Sequence, residues 1–264
     1  MIPSRVPGVL SGARSGQTPS LSVDGAVVKG RIEGVTTKLA PGGVKAICGP
    51  NGAGKSTLLA CLAGLIPPDV GVVRLGGTPI YTMTAVERAR AIGYLPQSPA
   101  VAWDVSVETL VGLGLLPWRD APATEAREAV EQAIAAMELE PLRHRPVSHL
   151  SGGERARALM ARVLATRPMW LLADEPLANL DLAHGGSLMR RFQEQSVEGR
   201  GVILVLHDLA TAMNHADRVL VLDRGRLVAD DPPELALSEK VIQQVWGVRA
   251  RWLGEPGARA LSIG

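Results

Sequence analysis

Eight consecutive residues, Gly49-Pro50-Asn51-Gly52-Ala53-Gly54-Lys55-Ser56, fill every fixed position of the pattern G-x-x-x-x-G-K-[ST]. The chemistry open to such a run is the binding of a phosphate chain. Glycines let the backbone curl round an anion so that successive N–H groups point inward. A helix beginning at the end of the run adds the positive end of its dipole. In this pattern Lys55 reaches the β- and γ-phosphates and the Ser56 hydroxyl ligates Mg²⁺. The expected nucleotide contacts are therefore Gly49, Pro50, Asn51, Gly52, Ala53, Gly54, Lys55, Ser56 and Thr57. The same letters can also make a plain glycine-rich turn between strand and helix.

Two other stretches carry groups for the same chemistry. An apolar run ends in Asp174-Glu175, with Asp174 119 residues after Lys55 (174 minus 55). At the carboxyl edge of a parallel sheet Asp174 can hold the Mg²⁺ shell near Ser56, which leaves Glu175 to orient or deprotonate water. Alone, that stretch reads as a strand meeting solvent. Leu150-Ser151-Gly152-Gly153-Glu154 runs into a helical stretch over 155–165. Small residues before a helix N-terminus make either a second anion site or an ordinary cap.

The elements that must position these groups follow from pattern. Residues 44–48 form a short buried strand and 57–63 the helix that follows it. Upstream, 21–47 contains short strands separated by Gly30, Gly34 and Pro41-Gly42-Gly43. A strand over 71–75, a capping box at Thr84-Ala85-Val86-Glu87 and a strand over 92–95 come next. Residues 105–165 are helical, with Val130, Ile134 and Met137 on one face and breaks at Pro117, Pro122 and Pro146. Strands return at 169–173, 202–206 and 219–222, alternating with helices. The expected fold is α/β, a phosphate-loop NTPase core with a mainly parallel sheet, an antiparallel β edge and an inserted α-helical subdomain. Residues 1–20 read as a flexible leader. Residues 21–264 form one domain, its core about 21–97 and 166–264 and its helical subdomain about 98–165.

Composition narrows the function. With 28 basic against 26 acidic residues, the chain lacks the basic excess of a dedicated nucleic-acid binder. Cys48 and Cys61, the two cysteines, stand in apolar stretches and read as buried small hydrophobes in a reducing compartment. No apolar run approaches the roughly 20 residues of a membrane span, so work at a membrane requires a second protein to supply it.

The phosphate loop, the sequence Leu150 to Glu154 and the pair Asp174-Glu175, in that order, resemble the ATP-binding cassette of ABC transporters. The resemblance implies ATP and Mg²⁺ as cofactors and an ATPase. By position, Gln97 matches the glutamine that contacts Mg²⁺ and water, His207 the switch histidine at the γ-phosphate, and Asn179-Leu180-Asp181 the D-loop. It implies Glu175, His207, Gln97 and Lys55 in catalysis, and Ser56, Gln97 and Asp174 on the metal. Ser151, Gly152, Gly153 and Asp181 would serve the ATP held by a second copy bound head to tail. The other histidines, His144, His149, His184 and His215, read as surface or packing residues.

The stretches from Gly93 to Pro117 and from Arg224 to Val248 are similar to cassettes of the importers of iron-siderophores, haem and cobalamin. That implies membrane permease subunits as partners, docking over 98–104, an indirect link to a substrate-binding protein, no nucleic-acid partner, and a peripheral place on the cytoplasmic face of the inner membrane. Asp104, Leu115 and Asp231 depart from that group, where Pro, Arg and Gly are common. An exporter, another cargo, or a soluble ABC ATPase outside transport are the alternatives. The family's adenine-stacking aromatic is missing, since no aromatic precedes Tyr81, and Val28 or Arg31 is expected there instead.

Overall fold

The computed structural model describes residues 18–97 and 104–264. The expected leader lies, up to residue 17, outside the described residues, as do residues 98–103 of the expected permease-docking segment.

The chain begins with β1 (Leu21–Val28), β2 (Ile32–Leu39), β3 (Val44–Cys48), α1 (Lys55–Leu62), β4 (Val70–Leu75) and β5 (Thr78–Pro79). Strand β1 pairs antiparallel with β2 and with β4, giving a sheet of order β2-β1-β4-β5. One face of it is apolar: Ile32, Val35 and Leu39 of β2 are buried while Glu33, Gly34, Thr36 and Lys38 are exposed. Gly34, expected as a separator, instead lies inside β2, with φ 68° beside a register shift between Ala26 and Val28. A bulge absorbs it without ending the strand.

Next come α2 (Ala85–Ala91), β6 (Ile92–Leu95), α3 (Val107–Gly112), α4 (Ala123–Ala136), α5 (Gly152–Ala165), β7 (Trp170–Asp174), α6 (Leu182–Val197), β8 (Gly201–Val205), α7 (Leu209–His215), β9 (Arg218–Asp223) and β10 (Arg226–Asp231). The second sheet has the order β10-β9-β3-β8-β7-β6, parallel except for the antiparallel β9–β10 pair. Every residue of β3, β7 and β8 is buried, because this sheet is covered on both faces.

Successive side chains on β3 point to opposite faces and so enter different cores. Ala46 and Cys48 join a cluster with α3, α4 and α5, whereas Ile47 joins α1 and the antiparallel sheet. Cys48 and Cys61 are split between these two clusters, and burial pushes their thiols up to about 12 and about 11, so both are inert packing residues.

In the helical block Val130, Ile134 and Met137 are all buried on the expected face. Helix α5 packs on α3, α4 and β6, and its Arg157 donates to the carbonyls of Met137 and Glu138 at 3.1 and 3.3 Å, closing the end of α4. The chain then adds α8 (Pro233–Ala236), α9 (Glu239–Trp246) and an antiparallel hairpin of β11 (Ala250–Leu253) and β12 (Ala260–Ile263) that the pattern had not suggested. The hairpin is held by Trp252 Nε1 on the Leu237 carbonyl at 2.7 Å and by paired bonds at 2.8 Å between the Asn214 side chain and the Arg259 backbone.

Candidate functional site

Four parallel strands end on one edge of the second sheet, and each delivers one part of the site. The phosphate loop follows β3, Gln97 follows β6, Asp174-Glu175 closes β7 and His207 follows β8. The ladder fixes their level: Val205 is paired with both Ile47 and Asp174, and Leu95 with Ala173.

The loop is shaped by long-range contacts. Gly54 has φ 98°, and a Cβ there would lie 2.5 Å from the Arg31 carbonyl of the β1–β2 turn, so only glycine fits. The amide of Gly225 in the β9–β10 turn donates to Ala53 O at 3.1 Å. Lys55 is 5% exposed, and its Nζ donates to the carbonyls of Gly49 and Pro50 at 2.8 and 3.0 Å. Burial lowers the Lys55 pKa, opposed by the nearby Glu175 carboxylate. A cleft of 420 Å³ opens in front of it, lined by Gly30, Arg31, Asn51, Gly52, Ala53, Gly54, Lys55, Ser56, Thr57, Glu175 and His207. Gly49 and Pro50 hold the lysine from behind instead of lining the cleft.

Ser56 Oγ donates to Asp174 Oδ1 at 3.1 Å. Burial raises the Asp174 pKa and the Ser56 hydroxyl opposes it. Two hard oxygens at this separation suit Mg²⁺, since adjacent corners of an octahedron with metal–oxygen bonds of 2.0–2.1 Å are roughly 2.9 Å apart. No group of three His, Cys, Asp or Glu converges among the described residues.

Glu175 is where the parts meet. Its φ of 51° is in the left-handed region, an unfavourable conformation for a residue with a Cβ. Its side chain is only 12% exposed, and its two oxygens accept from the Gln97 amide and from His207 Nε2. The same residue borders the phosphate-loop cleft, a cleft of 440 Å³ with Gln97, Gly152 and Asn179, and one of 460 Å³ with Asp181, His207 and Met189. The family resemblance implied Gln97 on the metal and His207 at the γ-phosphate; in the structure both side chains bond Glu175. That convergence had no signal in the sequence, because three different strands supply it.

Ser151, Gly152 and Gly153 stand apart from the phosphate-loop cleft of their own chain. Ser151 caps α5 in a reciprocal box with Glu154, its amide donating to Glu154 Oε2 at 2.8 Å and its Oγ accepting from the Glu154 amide at 3.3 Å. Asp181 caps α6, Oδ1 accepting from the His184 amide at 2.8 Å. Of the two residues expected at the base, Val28 packs against the core cluster behind β1, whereas Arg31 is exposed and lines the cleft. Gly30 was legible as a turn residue, and of the two candidates for the base Arg31 is the one that lines the cleft.

Known proteins agree with this geometry. The ABC transporter family model matches residues 32–178. The hemin import ATP-binding protein HmuV of Streptomyces coelicolor is 42% identical over 88% of this chain and 83% of its own length. The protein of that name from Rhodococcus jostii is 39% identical over 86% of this chain and 80% of its own length. Among solved structures, cbiO1 from Clostridium perfringens, part of the ABC transporter complex cbiONQ, superposes with a TM-score of 0.77 at 28% identity, covering 86% of this chain and 94% of that one. With the phosphate loop, the Asp174-Glu175 strand end and the Ser151 cap each in the place the motifs demand, the chain belongs to the ABC transporter family.

Proposed function

We propose that this chain is the ATP-binding and ATP-hydrolysing subunit of an ABC importer for haem, iron-siderophore or cobalamin, working as a head-to-tail pair beneath a membrane permease fed by a substrate-binding protein. One observation carries the two-copy part. The cleft that gathers Lys55, Ser56, Glu175 and His207 is lined by none of Ser151, Gly152 and Gly153, and the first two of these are exposed. An exposed, capped helix N-terminus with a glycine pair is suited to closing a phosphate site on another molecule. The cargo assignment is supported by the hemin-import names of the relatives and by the sequence similarity over 93–117 and 224–248.

The chain's residues divide the work. Lys55 sets a desolvated ammonium against the phosphates, where a charge-assisted hydrogen bond is strongest. The backbone from Gly52 to Thr57 supplies further N–H donors. Ser56 and Asp174 would hold Mg²⁺, which supplies neutralisation of charge on the phosphoryl oxygens. Glu175, oriented by Gln97 and His207, accepts a proton from the attacking water. On release of phosphate, Lys55 and the partner's helix N-terminus lose the charge they share, and the pair reopens. A core of about 21–97 and 166–264 binds nucleotide, while the helices of about 98–165 carry Ser151 to a second copy and meet the permease. Among the described residues no helix is long and apolar enough to cross a membrane, which suits a peripheral subunit on the cytoplasmic face.

Purifying the full chain from its host membrane in detergent tests the reading. Co-purification of a polytopic membrane protein, with ATP hydrolysis stimulated by loaded binding protein, is the expected result. Recovery with ribosomes or DNA and no membrane partner overturns it.

A further inference from the structure

We propose that His184 is a positioning residue, which locks the Asp181 segment to the start of α5 so that the two surfaces presented to a second copy move as one body. The proposal rests on the two-copy reading above.

Asp181 is held by one residue at both oxygens. Oδ1 accepts from the His184 amide at 2.8 Å, and Oδ2 lies 2.7 Å from His184 Nδ1, whose N–H donates to it. These bonds hold the Asp181 carboxyl below the usual carboxylate range, so it stays an acceptor. The other side of the imidazole rests on α5. A Cβ built on Gly153 would lie 2.3 Å from His184 Cδ2 and 2.5 Å from Cγ, so the second glycine of the pair is what admits the ring. Gly153 is buried by this contact although Ser151 and Gly152 beside it are exposed.

The link is not needed to build either helix. The Asp181 cap of α6 uses the backbone amide of His184, and the Ser151 box of α5 is local. Losing the imidazole therefore leaves both caps, and what disappears is the tie between them. Once untied, two surfaces must each be ordered separately when a second copy docks, and docking becomes less favourable.

The test is an ATP titration of the full chain carrying Glu175→Gln, dimer formation being followed by light scattering, with nucleotide affinity of the dilute monomer measured alongside. Adding His184→Ala should raise the ATP concentration for half-dimerisation about tenfold, the effect of losing one hydrogen bond to a charged group. Monomer affinity for ATP should stay at the parent value. His184→Asn, which keeps a donor at the Nδ1 position, should recover most of the shift. A parent that never dimerises with ATP overturns the two-copy reading and this proposal with it. A dimerising parent with an unshifted His184→Ala midpoint overturns the proposal alone, as does a His184→Asn variant no better than His184→Ala.

Discussion

The phosphate loop and the Ser151 segment are both glycine-containing turns entering a helix N-terminus, yet the chain finishes one and leaves the other open. At the loop, Lys55 is buried, Gly54 abuts the β1–β2 turn and Ala53 accepts from the β9–β10 turn. Its shape is set by parts of the chain far away in sequence. At Ser151 the ordering bonds span three residues, and besides His184 on Gly153 a more distant contact is an Arg145–Glu154 ion pair at 3.8 Å. A surface pair of that length contributes little. On the proposed two-copy reading, an anion site built into its own chain binds alone, whereas one that is only locally ordered and exposed is completed by a second body.

Four substitutions and one pH series sharpen or break that contrast. Glu175→Gln removes the proposed proton acceptor from the finished half and should lower steady-state phosphate release by roughly 10²–10⁴-fold while leaving ATP binding intact. Turnover at the wild-type rate would remove Glu175 from the chemistry. Lys55→Ala should weaken nucleotide binding to the monomer by roughly 10- to 100-fold, the loss of charged hydrogen bonds, measured with a fluorescent analogue. Ser151→Ala should leave that monomer affinity unchanged, cost about 1 kcal/mol of stability in denaturant through the lost cap, and shift ATP-dependent dimerisation to higher ATP. If it weakens monomer binding as Lys55→Ala does, the two halves are not separate and the contrast collapses.

Arg31→Ala should lower ATP affinity a few-fold, roughly the worth of an exposed cation–π contact, and leave tripolyphosphate affinity unaltered. Equal ATP affinity would take Arg31 away from the base. The smallest effect concerns Glu154, whose carboxyl is held below its usual 4.5 chiefly by the Ser151 amide. A depressed folded pKa gives stability that is present above the unfolded value and lost as pH falls through the folded one. Glu154→Gln should therefore flatten the melting temperature between pH 5 and pH 3 relative to wild type, by about a degree or two for a cap-sized effect in a chain this long.

Much of this was legible in the residues. The strand ending in Asp174, the capping box at Thr84 and the buried face of Val130, Ile134 and Met137 each follow from a local pattern that tertiary packing reinforces. Where local pattern and packing diverge, the reading fails. Gly34 looked like a break because a glycine weakens a strand, but pairing of β2 with β1 carries the backbone across it. The C-terminal hairpin was invisible because its anchors, Trp252 on Leu237 and Arg259 on Asn214, are side-chain contacts with no periodicity. His184 was read only as a surface or packing residue; it does pack, and which groups it packs on, a capping aspartate and a Gly153 without a Cβ, has no periodicity either.

By itself the sequence determined the phosphate chemistry. The run from Gly49 to Ser56 encodes its own backbone freedom, its lysine and its hydroxyl within a single turn, and an apolar strand ending in two acids needs only a parallel sheet to deliver them. The tertiary structure alone decided which groups meet. Gln97, Glu175 and His207 come from three strands that are neighbours only through sheet order, Arg31 lies over the loop where Gly54 packs on its carbonyl, and Ser151 does not line its own chain's cleft. Side-chain identity is local and can be read in order; proximity is set by hydrogen-bonded register and burial across the whole chain, and it has no linear trace.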